Sequence, residues 1–242
     1  MQIEALRQAA QVLYGRPMEA LLPVRGGWSA DAYRVKAEGG DGFLKVYDRR
    51  RKSTLPWIAR MQAYLPAMMA LRDAPGLGEH LPRLYPTEAG GLSGTWGDFV
   101  LLLFDFLEGE TPGRTPLSQT QQQELGRLTA RLHEAVLPQT AGLEEDLSLP
   151  FCGKLAGLLA PGRLPEGLED LLPRYGQTLR AAIEALLRLR DTARRPCTAL
   201  VPCHTDLHGF NVLQGGRPYL LDWEGLCLAP PEADLFMLAG TA

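Results

Sequence analysis

The segment from Pro202 to Glu224, PCHTDLHGFNVLQGGRPYLLDWE, limits the possible folds more than any other part of the chain. Two short apolar runs flank Gly215-Gly216, and paired glycines suit the positive φ values of a tight hairpin turn. Polar residues stand just before the first run and just after the second. The segment is therefore predicted to be a β-hairpin that carries chemical groups on an apolar base.

The polar residues of this hairpin predict a magnesium site. With both glycines central in the turn, Asn211 is expected opposite Leu220, and Asp222 then lies on the same face as Asn211 because side chains alternate with a period of two. Diagonal neighbours in such a ladder are ~7–8 Å apart. An amide and a carboxylate oxygen are ligands that Mg²⁺ accepts, with phosphate oxygens completing its shell. Asp206, upstream in the loop, is then placed to orient or deprotonate a hydroxyl.

A second interpretation assigns the metal ligands of the same segment to different residues. In an extended chain, His204, Asp206 and His208 point to one side and form a possible metal triad. That ligand set favours Zn²⁺ or a similar ion, and the protein is then a metallohydrolase. This alternative leaves Asn211 and Asp222 without a role.

Composition and charge restrict the class of protein. The chain has 242 residues, of which 45% are hydrophobic and 22% charged, as in a single large globular domain or two lobes. A net charge of −3 argues against nucleic acid or an anionic membrane as the main partner. The most apolar run, Phe99 to Leu107, is too short to cross a bilayer and contains Asp105. A cytoplasmic protein without a membrane or nucleic-acid partner is expected.

Hydrophobic patterns divide the chain into two parts. The first part is predicted to contain a helix, a hairpin that includes the strand Phe43–Tyr47, a helix at residues 55–71 that Pro66 kinks or ends, and two further strands. The glycine- and proline-bearing segment 107–113 marks a boundary, giving an N-terminal lobe at residues 1–106 and a C-terminal lobe at 107–242. The second part is mainly helical, with one helix capped by Ser118 and another from Gln177 to Arg195.

Three motifs carry a family resemblance. HTDLHGFNVL, LLDWE and APPEADLFML together resemble the aminoglycoside phosphotransferase and choline kinase superfamily, and are most similar to its spectinomycin phosphotransferase-like branch. The resemblance implies an α+β, two-lobed protein-kinase-like fold, with an antiparallel sheet and helices in the N-terminal lobe. It also implies a phosphotransferase that uses ATP and Mg²⁺ on a hydroxyl group of a small molecule, such as an aminoglycoside, an aminocyclitol or another amino alcohol.

The resemblance assigns roles to residues outside the hairpin. Lys45 is expected to neutralise nucleotide phosphates, His204 to hold the loop through hydrogen bonds to the backbone, and Asp234 to cap a helix or brace the catalytic loop. The remaining expected nucleotide contacts are a phosphate-covering turn and a strand that meets adenine, formed respectively by Gly26, Gly27 and Ser29 and by Phe104, Asp105 and Phe106.

The chain departs from the family pattern in two places. The predicted helix at residues 55–71 has no acidic residue to pair with Lys45, and Gln62 is its only neutral polar side chain of useful length. The sequence ends eight residues after Asp234, which predicts a shortened C-terminal lobe. Both departures favour a further alternative, a kinase-like protein that binds nucleotide without turnover. Glu224 is left open between an acceptor contact, a third metal neighbour and a solvated side chain.

Overall fold

The computed structural model describes residues 2–24, 29–160, 162–193 and 199–239. The chain divides into two units, one formed by Met1–Glu144 with Leu200–Ala242 and the other by Glu145–Ala199. The lobe boundary expected between residues 106 and 107 lies inside the first unit and stays a prediction. Within the described ranges, none of the helices combines the length and the apolar character that a membrane span needs.

A six-stranded antiparallel sheet forms the N-terminal part of the first unit. The strands follow the order β1-β2-β3-β6-β4, and β5 pairs with β6. Their bounds are β1 Ala20–Val24, β2 Asp31–Lys36, β3 Gly42–Asp48, β4 Leu84–Tyr85, β5 Gly94–Trp96 and β6 Phe99–Asp105.

One helix covers each face of this sheet. Leu44 and Val46 of β3 pack with helix α1 (Ile3–Tyr14) in one apolar cluster, whereas Tyr47 packs with helix α2 (Leu55–Leu71) in the other. Because side chains alternate along a strand, Lys45 lies on the same face as Tyr47. The apolar alternation of β3 therefore directs its one lysine to the α2 side of the sheet.

Helix α2 continues through Pro66 and ends at Leu71. The predicted bounds of this helix, residues 55–71, are confirmed, and of the two effects expected of Pro66, a kink or an end, the end does not occur. Proline removes one backbone hydrogen bond and strains the preceding turn, but Met61, Leu65 and Met68 bury the face of the helix on both sides of it. Tertiary packing outweighs the local penalty of the proline.

Helix α3 (Gln119–Glu134) begins where the sequence predicts. The Ser118 hydroxyl accepts from the Gln121 amide N–H at 3.3 Å, and the Gln121 side chain accepts from the Ser118 amide N–H at 2.8 Å. This capping box satisfies two donors that a helix start would otherwise leave unpaired.

Replacing Ser118 by Ala is expected to lower the free energy of unfolding by about 1 kcal/mol, because the Gln121 amide loses its acceptor. Denaturant unfolding measures the change. Ser93, an exposed serine, is the control, and Ser93→Ala is expected to alter stability by no more than about 0.5 kcal/mol. Equal effects of the two substitutions contradict the capping role.

The remaining elements are short strands, turns and helices. The second unit contains α4 (Pro150–Leu158) and α5 (Leu171–Ala193), which starts six residues earlier than predicted. The C-terminal part of the first unit contains the pair β7–β10, the hairpin β8–β9 and helix α6. Their bounds are β7 Val201–Cys203, β8 Val212–Gln214, β9 Pro218–Leu220, β10 Cys227–Ala229 and α6 Glu232–Ala239.

The predicted hairpin exists, but its predicted register is wrong by one residue. Val212 pairs with Leu220 and Gln214 pairs with Pro218, so the turn has three residues instead of two. The reason is that the backbone N–H and C=O of Gln214 are hydrogen-bonded outward to Glu110, at 2.8 and 2.9 Å. They cannot also close a two-residue turn. Asn211 consequently lies opposite Leu221, whose N–H donates to the Asn211 carbonyl at 2.8 Å.

Candidate functional site

Lys45 lies between two carboxylates at the centre of the candidate site. Its position on β3 is opposite Leu102 of β6, and its ammonium donates to Asp222 Oδ1 and, at 2.6 Å, to Glu224 Oε1. Gln62, the partner considered from the sequence, is exposed on helix α2. The carboxylates that pair with Lys45 therefore come from the segment after the β8–β9 hairpin.

Burial and charge oppose each other in this cluster. Burial alone would lower the pKa of Lys45, but the negative charges of Glu224 and Asp222 outweigh burial and raise it. Burial alone would raise the pKa of Asp222, yet the ammonium of Lys45 lowers it. Lys45 and Asp222 are therefore both ionised at neutral pH.

Glu224 is a buried member of the cluster. Its Oε1 accepts from the Tyr47 hydroxyl at 2.6 Å as well as from Lys45, and only 9% of its side chain is exposed. Burial first, and then the charge of Glu224, raise the pKa of Tyr47, so its hydroxyl stays a donor. A solvated Glu224, one of the three options left open by the sequence, is wrong.

A sharp turn after the hairpin places both carboxylates. Asp222 has φ of +61°, in the left-handed region, and a 3₁₀ turn at Trp223–Gly225 follows directly. The indole N–H of Trp223 donates to the Leu220 carbonyl at 2.8 Å and fixes this turn. Asp222 thus is not a strand neighbour of Asn211, as the predicted register had it; it leaves the strand and turns towards Lys45.

Asp206 and Asn211 contact each other directly. The amide nitrogen of Asn211 donates to Asp206 Oδ2 at 2.8 Å and to the Asp206 carbonyl at 3.0 Å. Asn211 is buried, whereas the Asp206 side chain is 47% exposed. The asparagine therefore orients a carboxylate that remains accessible, and its own amide oxygen points away from these two bonds.

His204 is a structural residue of this loop. It is fully buried, its Nε2 faces the Leu221 carbonyl at 2.8 Å, and its ring lies 4.6 Å from that of Trp223. A carbonyl only accepts, so Nε2 carries the proton. Burial lowers the pKa of His204, which keeps the imidazole neutral.

Asp234 holds the backbone of the same loop. Its two oxygens accept from the His204 N–H at 3.1 Å and the Thr205 N–H at 2.6 Å, and Thr205 has φ of +67°. His133 of helix α3 contacts Asp234 through Nε2 at 2.9 Å. Sequence reasoning missed His133, because an isolated histidine on an amphipathic helix carries no signal of a partner 101 residues away.

The geometry does not favour the His204–Asp206–His208 metal triad. His204 Nε2 is hydrogen-bonded to a carbonyl, and His208 Nε2 lies 3.3 Å from Asp206 Oδ1. In the part of the chain that the structure describes, the only group of His, Cys, Asp and Glu with donor atoms close enough to surround an ion is His133, Cys203 and Asp234. Its carboxylate already accepts three hydrogen bonds.

The structure describes only some of the residues expected to contact the nucleotide. Gly26 and Gly27 fall outside the described residues, and Ser29 is half-buried just before β2. At the end of β6, the N–H of Asp105 donates to the Arg83 carbonyl at 2.9 Å, and the N–H of Phe106 donates to another carbonyl at 3.1 Å. Both N–H groups are thus used within the protein.

The side chains near the end of β6 are also engaged. Phe104 is buried in the α2-side cluster, and the guanidinium of Arg34 lies 3.9 Å from the centre of the Phe106 ring. Asp105 Oδ1 accepts from the Arg83 N–H at 2.6 Å, and burial raises the pKa of Asp105. This segment is consequently well fixed by contacts within the protein.

A family comparison supports the motif analysis. A family model described as "Phosphotransferase enzyme family" matches residues 20–242. A comparison with curated protein sequences gives no match.

Solved structures share the fold of this chain. Spectinomycin phosphotransferase in complex with ADP and spectinomycin matches with a TM-score of 0.76 and 20% identity, over 99% of this chain and 74% of that one. An ethanolamine kinase from Plasmodium vivax matches with a TM-score of 0.59 and 15% identity, over 89% and 59%. A type VIII aminoglycoside-3′-phosphotransferase matches with a TM-score of 0.55 and 20% identity, over 95% and 80%. The predicted α+β, protein-kinase-like fold class is confirmed.

Proposed function

This chain belongs to the phosphotransferase enzyme family, and on that premise we propose that it transfers a phosphoryl group from Mg·ATP to a hydroxyl group of a small molecule. The observation that carries the proposal is the ion pair of Lys45 with Asp222. The residue before Asp222, Leu221, is hydrogen-bonded to the backbone of Asn211, whose side chain donates to Asp206. Phosphoryl transfer requires a positive charge for the phosphates, oxygen ligands for Mg²⁺ and a carboxylate for the acceptor hydroxyl. Lys45, the pair Asn211 and Asp222, and Asp206 are respectively groups of these kinds.

Lys45 is proposed to bind the nucleotide phosphates. Its ammonium has two carboxylate partners, and the exposed one, Asp222, can be exchanged for a phosphate oxygen. The turn at Gly26, Gly27 and Ser29 is proposed to cover the phosphates with backbone N–H groups. The segment Phe104–Phe106 is proposed to meet the base.

Asn211 and Asp222 are proposed as the protein ligands of Mg²⁺. The amide N–H groups of Asn211 are directed to Asp206, which leaves its amide oxygen for a cation. The Asp222 side chain is 43% exposed, so one carboxylate oxygen is available beside the one that contacts Lys45. Hard oxygen ligands of this number fit Mg²⁺, which when bound neutralises charge on the phosphates.

Asp206 is proposed to orient the acceptor hydroxyl and to accept its proton. The hydrogen bond from Asn211 fixes one of its oxygens, and the exposure of the side chain leaves the carboxylate open to a substrate. Positioning of this kind, together with charge neutralisation, accounts for most of the catalysis in phosphoryl transfer.

The acceptor is proposed to be an amine-bearing alcohol, such as an aminoglycoside or aminocyclitol. Solved structures with this fold include a spectinomycin phosphotransferase bound to spectinomycin and an aminoglycoside phosphotransferase in a ternary complex with ADP and hygromycin B. A panel of such alcohols, assayed for acceptor-dependent ADP release, tests the proposal. Nucleotide binding without turnover on any acceptor favours the alternative of a catalytically impaired kinase-like protein.

Thermal melting with ATP tests the metal ligands. At ATP concentrations about 100-fold above Kd, binding adds about 2.7 kcal/mol, or roughly 5–11 °C for a chain of this size. We expect the wild-type shift to fall when EDTA removes Mg²⁺. We expect Asp222→Asn to show the same shift with and without Mg²⁺, because it lacks the charged ligand. A magnesium-dependent increment equal to that of the wild type excludes Asp222 as a ligand.

A further inference from the structure

Lys45 has two carboxylate partners, of which Glu224 is buried and Asp222 is exposed, and this difference indicates different roles for the two. We propose that Glu224 is the positioning residue of Lys45 and keeps its contact with the ammonium when the nucleotide binds. Asp222 is the exchangeable partner, which leaves Lys45 to bind the cation. The proposal rests on the proposed function and adds a role for Glu224 that the sequence left open.

The contacts of Glu224 are those of a fixed group. One oxygen, Oε1, accepts from both Lys45 and Tyr47 at 2.6 Å, and all three side chains are buried or nearly so. Charge-assisted hydrogen bonds of this length are strong, and a buried carboxylate that loses its cation is costly. Glu224 therefore has no low-energy alternative to Lys45, whereas the half-exposed Asp222 does.

Lys45 also needs a permanent counter-charge. Only 13% of its side chain is exposed, so an ammonium without a partner would be destabilised by burial. In the structure both carboxylates satisfy it. Once Asp222 turns to a cation, Glu224 alone keeps Lys45 charged and directed into the site, where its remaining N–H donors can reach phosphate oxygens.

Helix α2 supports this arrangement without contributing a carboxylate. Its residues from Leu55 to Leu71 include no Asp or Glu. Instead, Arg60 donates to the Leu226 carbonyl at 2.9 Å, directly after the turn that carries Glu224. Tyr64 packs in the same apolar cluster as Tyr47 and Trp223. The helix thus holds the turn, and the turn supplies the charge.

A double-mutant cycle on ATP affinity tests the proposal. We expect Glu224→Gln to weaken ATP binding about 10- to 100-fold, as for loss of a hydrogen bond to a charged group, and to raise the KM for ATP more than it lowers kcat. In a Lys45→Met background the same substitution should have no further effect on affinity. Glu224→Asp should restore part of the loss. Glu4→Gln, which removes an exposed pair with Arg7, is the control and should leave affinity unchanged.

The possible outcomes distinguish a failure of the proposed function from a failure of the positioning role of Glu224. If the wild-type protein binds no ATP, the proposed function fails and the positioning role fails with it. If the wild type binds but the Glu224→Gln effect persists in the Lys45→Met background, only the positioning role is wrong. A loss of magnesium dependence in Glu224→Gln like that of Asp222→Asn identifies a metal ligand instead. If Glu224→Gln does not fold, Tyr47→Phe takes its place in the same cycle. We expect a smaller loss of ATP affinity, which should likewise disappear in the Lys45→Met background.

Discussion

Replacing Asp206 by Asn is expected to lower kcat by about 10²- to 10⁴-fold while leaving the affinity for ATP within a factor of about three of the wild type. The substitution removes the proton acceptor but keeps an oxygen that can accept from the Asn211 amide, whose present bond to Asp206 is 2.8 Å long. The loop geometry should therefore survive. Initial rates of acceptor phosphorylation at saturating ATP give kcat, and calorimetry gives the affinity.

The control for this experiment is another exposed aspartate. Asp98 has a side chain that is largely exposed and lies on the loop before β6, so Asp98→Asn changes charge equally without touching the site. We expect its kcat to equal that of the wild type. If Asp206→Asn retains wild-type turnover, Asp206 is not the base, and proton loss to solvent must suffice.

Replacing Asp234 by Ala is expected to have the largest effect on stability. The side chain is fully buried and accepts from the backbone N–H groups of His204 and Thr205, and from His133. Removal leaves the backbone N–H groups of His204 and Thr205 and the ring N–H of His133 without this acceptor, and it releases a residue held at φ of +67°. We expect a loss of about 3–5 kcal/mol, or roughly 6–20 °C in Tm.

Two further variants separate the contributions to this effect. His133→Ala removes one partner of Asp234 and leaves both backbone bonds, so its expected loss is the smaller one. Asp234→Asn keeps one acceptor oxygen, and its loss of stability should lie between those of His133→Ala and Asp234→Ala. Calorimetric melting of the apo proteins measures the series. A Tm for Asp234→Ala within a degree or two of the wild type would show that the loop is held by other contacts.

Local motifs explain what the sequence could predict. Asp206, Asn211 and Asp222 lie within a short span of chain, and turn chemistry and strand alternation were enough to predict the hairpin between Asn211 and Asp222, although not its register. The start of helix α3 at Ser118 and the strand around Lys45 have equally local signals. These predictions depend on neighbours in sequence.

Contacts between distant segments explain what the sequence could not predict. The hairpin register depends on Gln214 pairing with Glu110, and the carboxylate beside Lys45 is supplied by Glu224, 179 residues further along the chain. Neither pairing leaves a periodic or compositional trace. The absence of an acidic residue from helix α2 left open whether the partner of Lys45 comes from elsewhere in the chain, and the structure shows that a remote turn supplies it.

The bond between Gln214 and Glu110 has a mechanical consequence. A Cβ on Gly109 would lie 2.4 Å from the Gln214 carbonyl oxygen, and one on Gly215 would lie 2.5 Å from the Glu108 carbonyl oxygen. Only glycine at both positions lets the two backbones come this close. The chain after β6 and the tip of the hairpin are therefore held together by backbone hydrogen bonds with no side chain between them. We therefore expect Asn211, the proposed metal ligand on this hairpin, to move together with the segment Phe104–Phe106 that is proposed to contact the base.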